Sequence, residues 1–127
     1  RLAGIAGSDA VERVNRAGAE LARRATAGGS RPIAIAGDVG PLGAHLAPYG
    51  RLRPEEARAA FAEQIGALLA GGVDLLVFET FADVRELAEA LAAARDRRVP
   101  LVATMTFTRD DRTWLGERAG EVAARMI

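Results

Sequence analysis

The stretch Val73-Asp74-Leu75-Leu76-Val77-Phe78-Glu79 decides the fold. It is apolar on both faces until its last residue, which predicts a strand buried between two layers rather than one washed by solvent on alternate residues. Gly71-Gly72 stands immediately before it as a helix stop. Upstream, Pro54 opens a helix with its fixed φ and missing N–H, and Glu55 and Glu56 put negative charge at the positive end of the helix dipole. Ala57, Phe61, Ile65 and Leu68 then recur at helical spacing as a buried stripe. Downstream, Asp83 with Glu86 spells a D-x-x-E capping box for a helix that buries Leu87, Leu91 and Ala94.

The pattern repeats outward in both directions. Val99–Phe107 reads as a further strand, followed by a polar loop over Arg109–Gly116 and a helix from Glu117 to Ile127. Pro32–Ala36, ending at Gly37, reads as the strand before the central helix. Ahead of it, Arg1–Gly7 reads as a loop, and Asp9 with Glu12 as another capping box. Val11, Val14, Gly18 and Leu21 follow as an apolar stripe, stopped by Gly28-Gly29. The order is α, β, α, β, α, β, α, which implies a parallel sheet covered by helices. No G-x-G-x-x-G follows a strand, so the main mark of a dinucleotide fold is missing. A (β/α)8 barrel is favoured over an open doubly wound sheet. Such a barrel needs roughly 200 residues or more, so the 127 here would supply about half of one, as a single domain fragment spanning 1–127.

Composition narrows the function classes. Acidic and basic residues balance at 17 each, all the basic ones are Arg, and they are scattered. No electrostatic footprint for nucleic acid or an anionic membrane results. No apolar run approaches the roughly 18 residues needed to span a bilayer. The chain has no cysteine, which excludes a disulfide framework and a thiolate zinc site within it. With no signal or transit segment in view, the expected compartment is the cytoplasm. The opening on Arg1 and a last helix stopped in mid-run predict a fragment.

Function in either architecture collects at the carboxyl ends of parallel strands, which here are Gly37-Asp38, Glu79-Thr80 and Thr106-Phe107-Thr108. Glu79 follows four apolar residues, so its carboxylate should sit partly desolvated and need a cationic or hydrogen-bonding partner. That partner is either an amino acid's ammonium group or an Arg on a neighbouring loop. Asp38 lies between Gly37 and Gly40, where backbone can approach a ligand, and it equally suits a turn residue bonding its own loop. Thr104 and Thr106 share a strand face and could point into a barrel, although threonine is also an ordinary strand former. His45, the sole histidine, reads as structural or exposed, and Tyr49 and Trp114 as anchors of loops or walls of a mouth. Gly40-Pro41 and Gly43 lack the Lys and Ser/Thr of a phosphate-binding loop.

Taken in order, several of these elements resemble a known family. Ala36-Gly37-Asp38-Val39-Gly40-Pro41-Leu42-Gly43 and Leu46-Ala47-Pro48-Tyr49-Gly50 resemble the G-x-x-G-P…YG segment of homocysteine S-methyltransferases. Phe61 with Glu63-Gln64-Ile65, Gly72-Val73-Asp74 and Glu79-Thr80-Phe81 resemble its F-x-x-Q, G-V-D and E-T elements. Thr104-Met105-Thr106-Phe107 and Gly116 resemble the strand and loop that follow.

The resemblance implies a (β/α)8 barrel that binds homocysteine and methylates its sulfur, with zinc holding the substrate as a thiolate. The zinc ligands it implies are three cysteines on later strands, outside this chain. The methyl donor it implies is methyltetrahydrofolate or S-methylmethionine, with betaine used elsewhere in the family. Glu79 matches the family glutamate that meets the homocysteine amino group, and Thr80, Thr106 and Asp38 complete the candidate substrate-binding set. Asp38 departs from the pattern, where Ser is commoner, which puts a ligand role for it in doubt. These residues would form the amino-group side of a pocket and none of its metal, so the chain alone should be inactive. Two other readings stay open: a barrel enzyme on a small anionic substrate with Glu79 as general base, and a non-catalytic α/β binding or scaffold module.

Overall fold

A computed structural model describes residues 9–126. Seven elements alternate in the expected order: α1 (Ala10–Thr26), β1 (Ala36–Val39), α2 (Pro54–Ala70), β2 (Leu75–Phe81), α3 (Val84–Ala94), β3 (Leu101–Met105) and α4 (Ala119–Met126). The expected loop over Arg1–Gly7 lies outside the described residues.

The three strands form one parallel sheet in the order β1-β2-β3, with Asp38 opposite Val77 and Val77 opposite Val102. Burial separates its two faces. Gly37, Val39, Leu76 and Phe78 are buried, whereas Ala36, Asp38, Glu79, Val102 and Thr104 alternate with the covered positions and are exposed. The core, which includes Phe61, Ile65, Leu68 and Leu87 from α2 and α3, lies on the first face only. Helices on one face, with strands in sequential order, are the arrangement of one arc of a (β/α)8 barrel. A doubly wound sheet would place helices on both faces.

Glycine sets the depth of this packing. A Cβ on Gly37 would stand 3.1 Å from both Leu76 Cδ2 and Val73 Cγ2. One on Gly71 would stand 2.6 Å from Ala19 Cβ, so only glycine lets α1 lie this close to the end of α2. The predicted stripe of α2 is fully in the core, and Glu56 caps the helix by accepting from the Arg53 N–H at 3.0 Å.

Several expectations need correction. The first strand is Ala36–Val39 rather than Pro32–Ala36, and Ile33 is exposed. Its approach is fixed instead by Asp74. That carboxylate accepts from the Ile35 N–H at 2.7 Å, and its own N–H donates to the Ile35 carbonyl, also at 2.7 Å. Arg23 adds an ion pair at 2.7 Å. Hydrogen bonds from Arg23 and Ile35 hold the Asp74 carboxyl below its ordinary pKa, outweighing partial desolvation.

On α1 the buried residues are Ala10 and Ala19, while Val14 and Leu21 are exposed, because the helix meets the rest of the protein through α2. Asp9 makes no side-chain cap; its backbone is not extended, and its carboxylate pairs with Arg13 at 3.2 Å. No described helix is long and apolar enough to cross a membrane.

The end of β2 departs from simple alternation. Phe78 pairs with Ala103 and Phe81 with Met105, so three steps along β2 match two along β3. The extra residue is a bulge. Glu79 and Thr80 therefore both stay exposed, while Phe78 and Phe81 are both fully buried. The strand runs two residues past its expected end for the same reason.

Candidate functional site

The loops after the three strands gather at the carboxyl end of the sheet, where parallel α/β folds place their chemistry. Loop 40–53 closes on itself through Ala47 N–H to Leu52 carbonyl at 2.9 Å and Gly50 N–H to Leu46 carbonyl at 3.0 Å. A Cβ on Gly50 would overlap the His45 carbonyl oxygen at 2.0 Å, so this turn admits only glycine. The His45 ring stacks on Trp114 at 4.2 Å, and Tyr49 meets the same indole edge-on at 5.9 Å. Trp114 thus ties the first loop to the third, as expected of a loop anchor.

The start of α3 supplies two buried acids. Asp83 caps the helix by accepting from the Arg85 N–H at 2.9 Å and holds the Arg85 guanidinium at 2.6 Å. Arg85 in turn lies 5.1 Å above the Tyr49 ring centre, in cation–π contact. Burial alone would push the Asp83 carboxyl up, but the hydrogen bonds and charge of Arg85 outweigh it and hold the group below its ordinary pKa.

Glu86 does not complete the predicted capping box. Its carboxylate reaches across to the first loop and accepts from the Leu42 N–H at 2.8 Å. Burial pushes this carboxyl above its ordinary pKa, opposed by the Leu42 amide. Pro41, Gly43, His45, Thr80, Glu86 and Trp114 are among the residues that enclose a cavity of about 310 Å³.

The predicted site residues fall on or beside the helix-free face. Glu79 is exposed, and among the described residues its carboxylate has no hydrogen bond or ion pair. Among the described residues no layer covers this side of the sheet, so the carboxylate is not desolvated by the chain and is not met by an arginine, one of the two partners expected for it. Thr80 adopts φ +69, a region costly for a β-branched residue, and lines the cavity. Asp38 is a strand residue rather than a turn residue. Its carbonyl accepts from Gln64 at 3.3 Å, and its side chain is unpaired among the described residues. Asp38 stands opposite Val77, two residues before Glu79, so the sheet brings the two acids to one face. Thr106 is exposed just past β3, its N–H donating to the Phe81 carbonyl at 2.7 Å, while the Thr104 hydroxyl is occupied by the Phe78 carbonyl at 3.2 Å. No group of three His, Cys, Asp or Glu among the described residues could hold a metal ion.

Sequence reasoning missed the reach of Glu86 and the brace made by Asp74. A capping motif near a helix start looks the same whether its acid folds back or reaches outward. Glu86 falls in a D-x-x-E box and Asp74 in a G-V-D element, and neither pattern encodes a partner far along the chain.

The profile of the family described as homocysteine S-methyltransferase matches residues 1–127. Among solved structures, the chain is similar to the apo form of the homocysteine methyltransferase MmuM from Escherichia coli, with a TM-score of 0.74 at 25% identity. The match covers 89% of this chain and 43% of that one, so the chain spans less than half the length of its structural relative. No curated protein matches in sequence.

Proposed function

We propose, on the premise that this chain belongs to the homocysteine S-methyltransferase family, that the whole protein methylates homocysteine and that these residues bind its amino-acid end. One observation supports the assignment within the chain. Among the described residues Glu79 is an unpaired carboxylate near the carboxyl end of a parallel strand, on the face without helices. An α-ammonium group would neutralise it there, and a charge-assisted hydrogen bond of this kind contributes about 1.5–3 kcal/mol. Thr80 and Thr106 offer hydroxyls from the adjoining strand ends, with Asp38 as a second carboxylate on the same face. The arc described here would be part of a (β/α)8 barrel whose other strands enclose that face.

In the reaction, the homocysteine sulfur loses its proton and attacks the donor's methyl carbon. The carbon–sulfur bond of methionine forms as the bond from methyl to donor breaks. Zinc is the metal that would hold such a thiolate, but the residues of this chain do not fit it. They include no cysteine and, among those described, no suitable ligand trio. On this reading any zinc ligands would come from residues outside these 127. For the donor, a folate-borne methyl or the sulfonium methyl of S-methylmethionine satisfies the same balance.

The test is Glu79→Gln in the whole protein. Homocysteine affinity, measured by titration calorimetry, is expected to fall about 10- to 100-fold while the melting temperature stays unchanged. Unchanged affinity would remove Glu79 from the site.

A further inference from the structure

The buried acid at the second position of the α3 box has work that neither capping nor the family assignment accounts for. Glu86 is 7% exposed, yet it spends its carboxylate on a backbone N–H 44 residues away in sequence. The amide it holds belongs to Leu42, inside the Gly40-Pro41-Leu42-Gly43 turn that leaves β1 after Val39, the residue next to Asp38. Leu42 packs its side chain against the core, but the glycines on either side of Pro41-Leu42 give the turn no further anchor. Gly43 has φ +73, and a Cβ on Gly40 or Gly43 would meet nothing within 4 Å, so neither glycine is wedged in place by packing. On its other side Glu86 shares the 310 Å³ cavity with Thr80, the residue next to Glu79. One side chain thus joins the turn after β1 to the bulged end of β2.

We propose that Glu86 is a positioning residue for substrate recognition, holding the Gly40–Gly43 turn at a fixed height beside the Glu79-Thr80 strand end. The inference rests on the homocysteine reading above. Its logic is that of a strap. A glycine-bearing turn is mobile unless tied, and a misplacement of about 1 Å at a binding wall costs up to about a hundredfold in the rate it supports. A buried carboxylate is an effective tie, because leaving the Leu42 N–H unmatched would cost its full desolvation. Asp83 and Arg85, one turn earlier, grip the same loop farther along, at Tyr49.

The experiment compares Glu86→Ala, Glu86→Gln and Glu79→Gln in the whole protein by titration with homocysteine, with thermal melts alongside. Glu86→Ala is expected to weaken binding about tenfold or more. Glu86→Gln, whose amide oxygen still accepts from Leu42, is expected to restore affinity to within about threefold of the parent. That rescue is what a purely electrostatic role would not give. Parental affinity in Glu86→Ala, or equal losses in the Ala and Gln variants, would overturn the proposal. If Glu86→Ala does not fold, Glu86→Met, of similar volume but without an oxygen to accept from Leu42, carries the same expectation. Failure of the underlying reading shows separately, as parental homocysteine affinity in Glu79→Gln.

Discussion

The two faces of the sheet treat their acids in opposite ways. On the helix side, Asp83 and Glu86 are buried and every described demand is met, by Arg85 and by the Leu42 amide. On the bare side, Asp38 and Glu79 are exposed, and their carboxylates have no partner among the described residues. Only the first pair contributes to folding through contacts within the chain. Charge left unspent at a strand end is available to a ligand, and this is the physical content of calling Glu79 a candidate site residue.

Substitutions on each face can break or sharpen the contrast. Phe78→Ala, in the centre of the covered face, should cost about 3–5 kcal/mol in chemical denaturation, a large share of a domain's total stability. Asp83→Ala loses the cap and the anchor of Arg85 together and should cost about 1–2 kcal/mol. The Asp83 contribution also has a pH signature. Because its folded pKa is depressed, the stabilisation is fully present above the ordinary carboxylate range and is lost as pH falls through the folded value. Denaturation midpoints of the parent and Asp83→Asn should therefore converge on acidification. Glu86 has the opposite sign. Its folded pKa is raised, so its contribution is fully present below the ordinary value and fades as pH rises through the folded one.

On the bare face the effects shrink. In these 127 residues taken alone, Val77→Ala should cost under about 1 kcal/mol and Glu79→Gln should stay within about 0.5 kcal/mol of the parent, both read from the same denaturation curves. A substantial loss from either would mean that this face is structurally committed, and the contrast would fail.

The order of elements was legible in the chain because each buried segment announces itself locally. The α2 stripe and its Pro54 start rest on neighbours three and four residues away, and the structure reproduces both. What was not legible depends on partners far along the chain. The true start of β1 is set by Asp74 bracketing Ile35, which no pattern within Pro32–Gly37 encodes. The stripe Val14–Leu21 has the right period for a helix, but period does not say which residues a neighbour covers, and here α2 takes Ala19 instead. The family elements are mixed in meaning too. Phe61 is core, Gln64 ties α2 to the Asp38 carbonyl, Gly50 fills a place no side chain could, and the Glu79 and Asp38 carboxylates are left without a partner among the described residues.

The bulge in β2 has a consequence in the language of insertions and deletions. Strict alternation from Leu76 and Phe78 would next bury position 80, and the extra residue delays that burial to Phe81. Loss of the single codon for Thr80 would bring Phe81 back into step beneath the helices and leave Glu79 where it is. The same side chains would then fill the core whether this strand end is one residue longer or shorter. A one-codon deletion or insertion here is expected to change what the mouth offers a ligand while the scaffold stays the same.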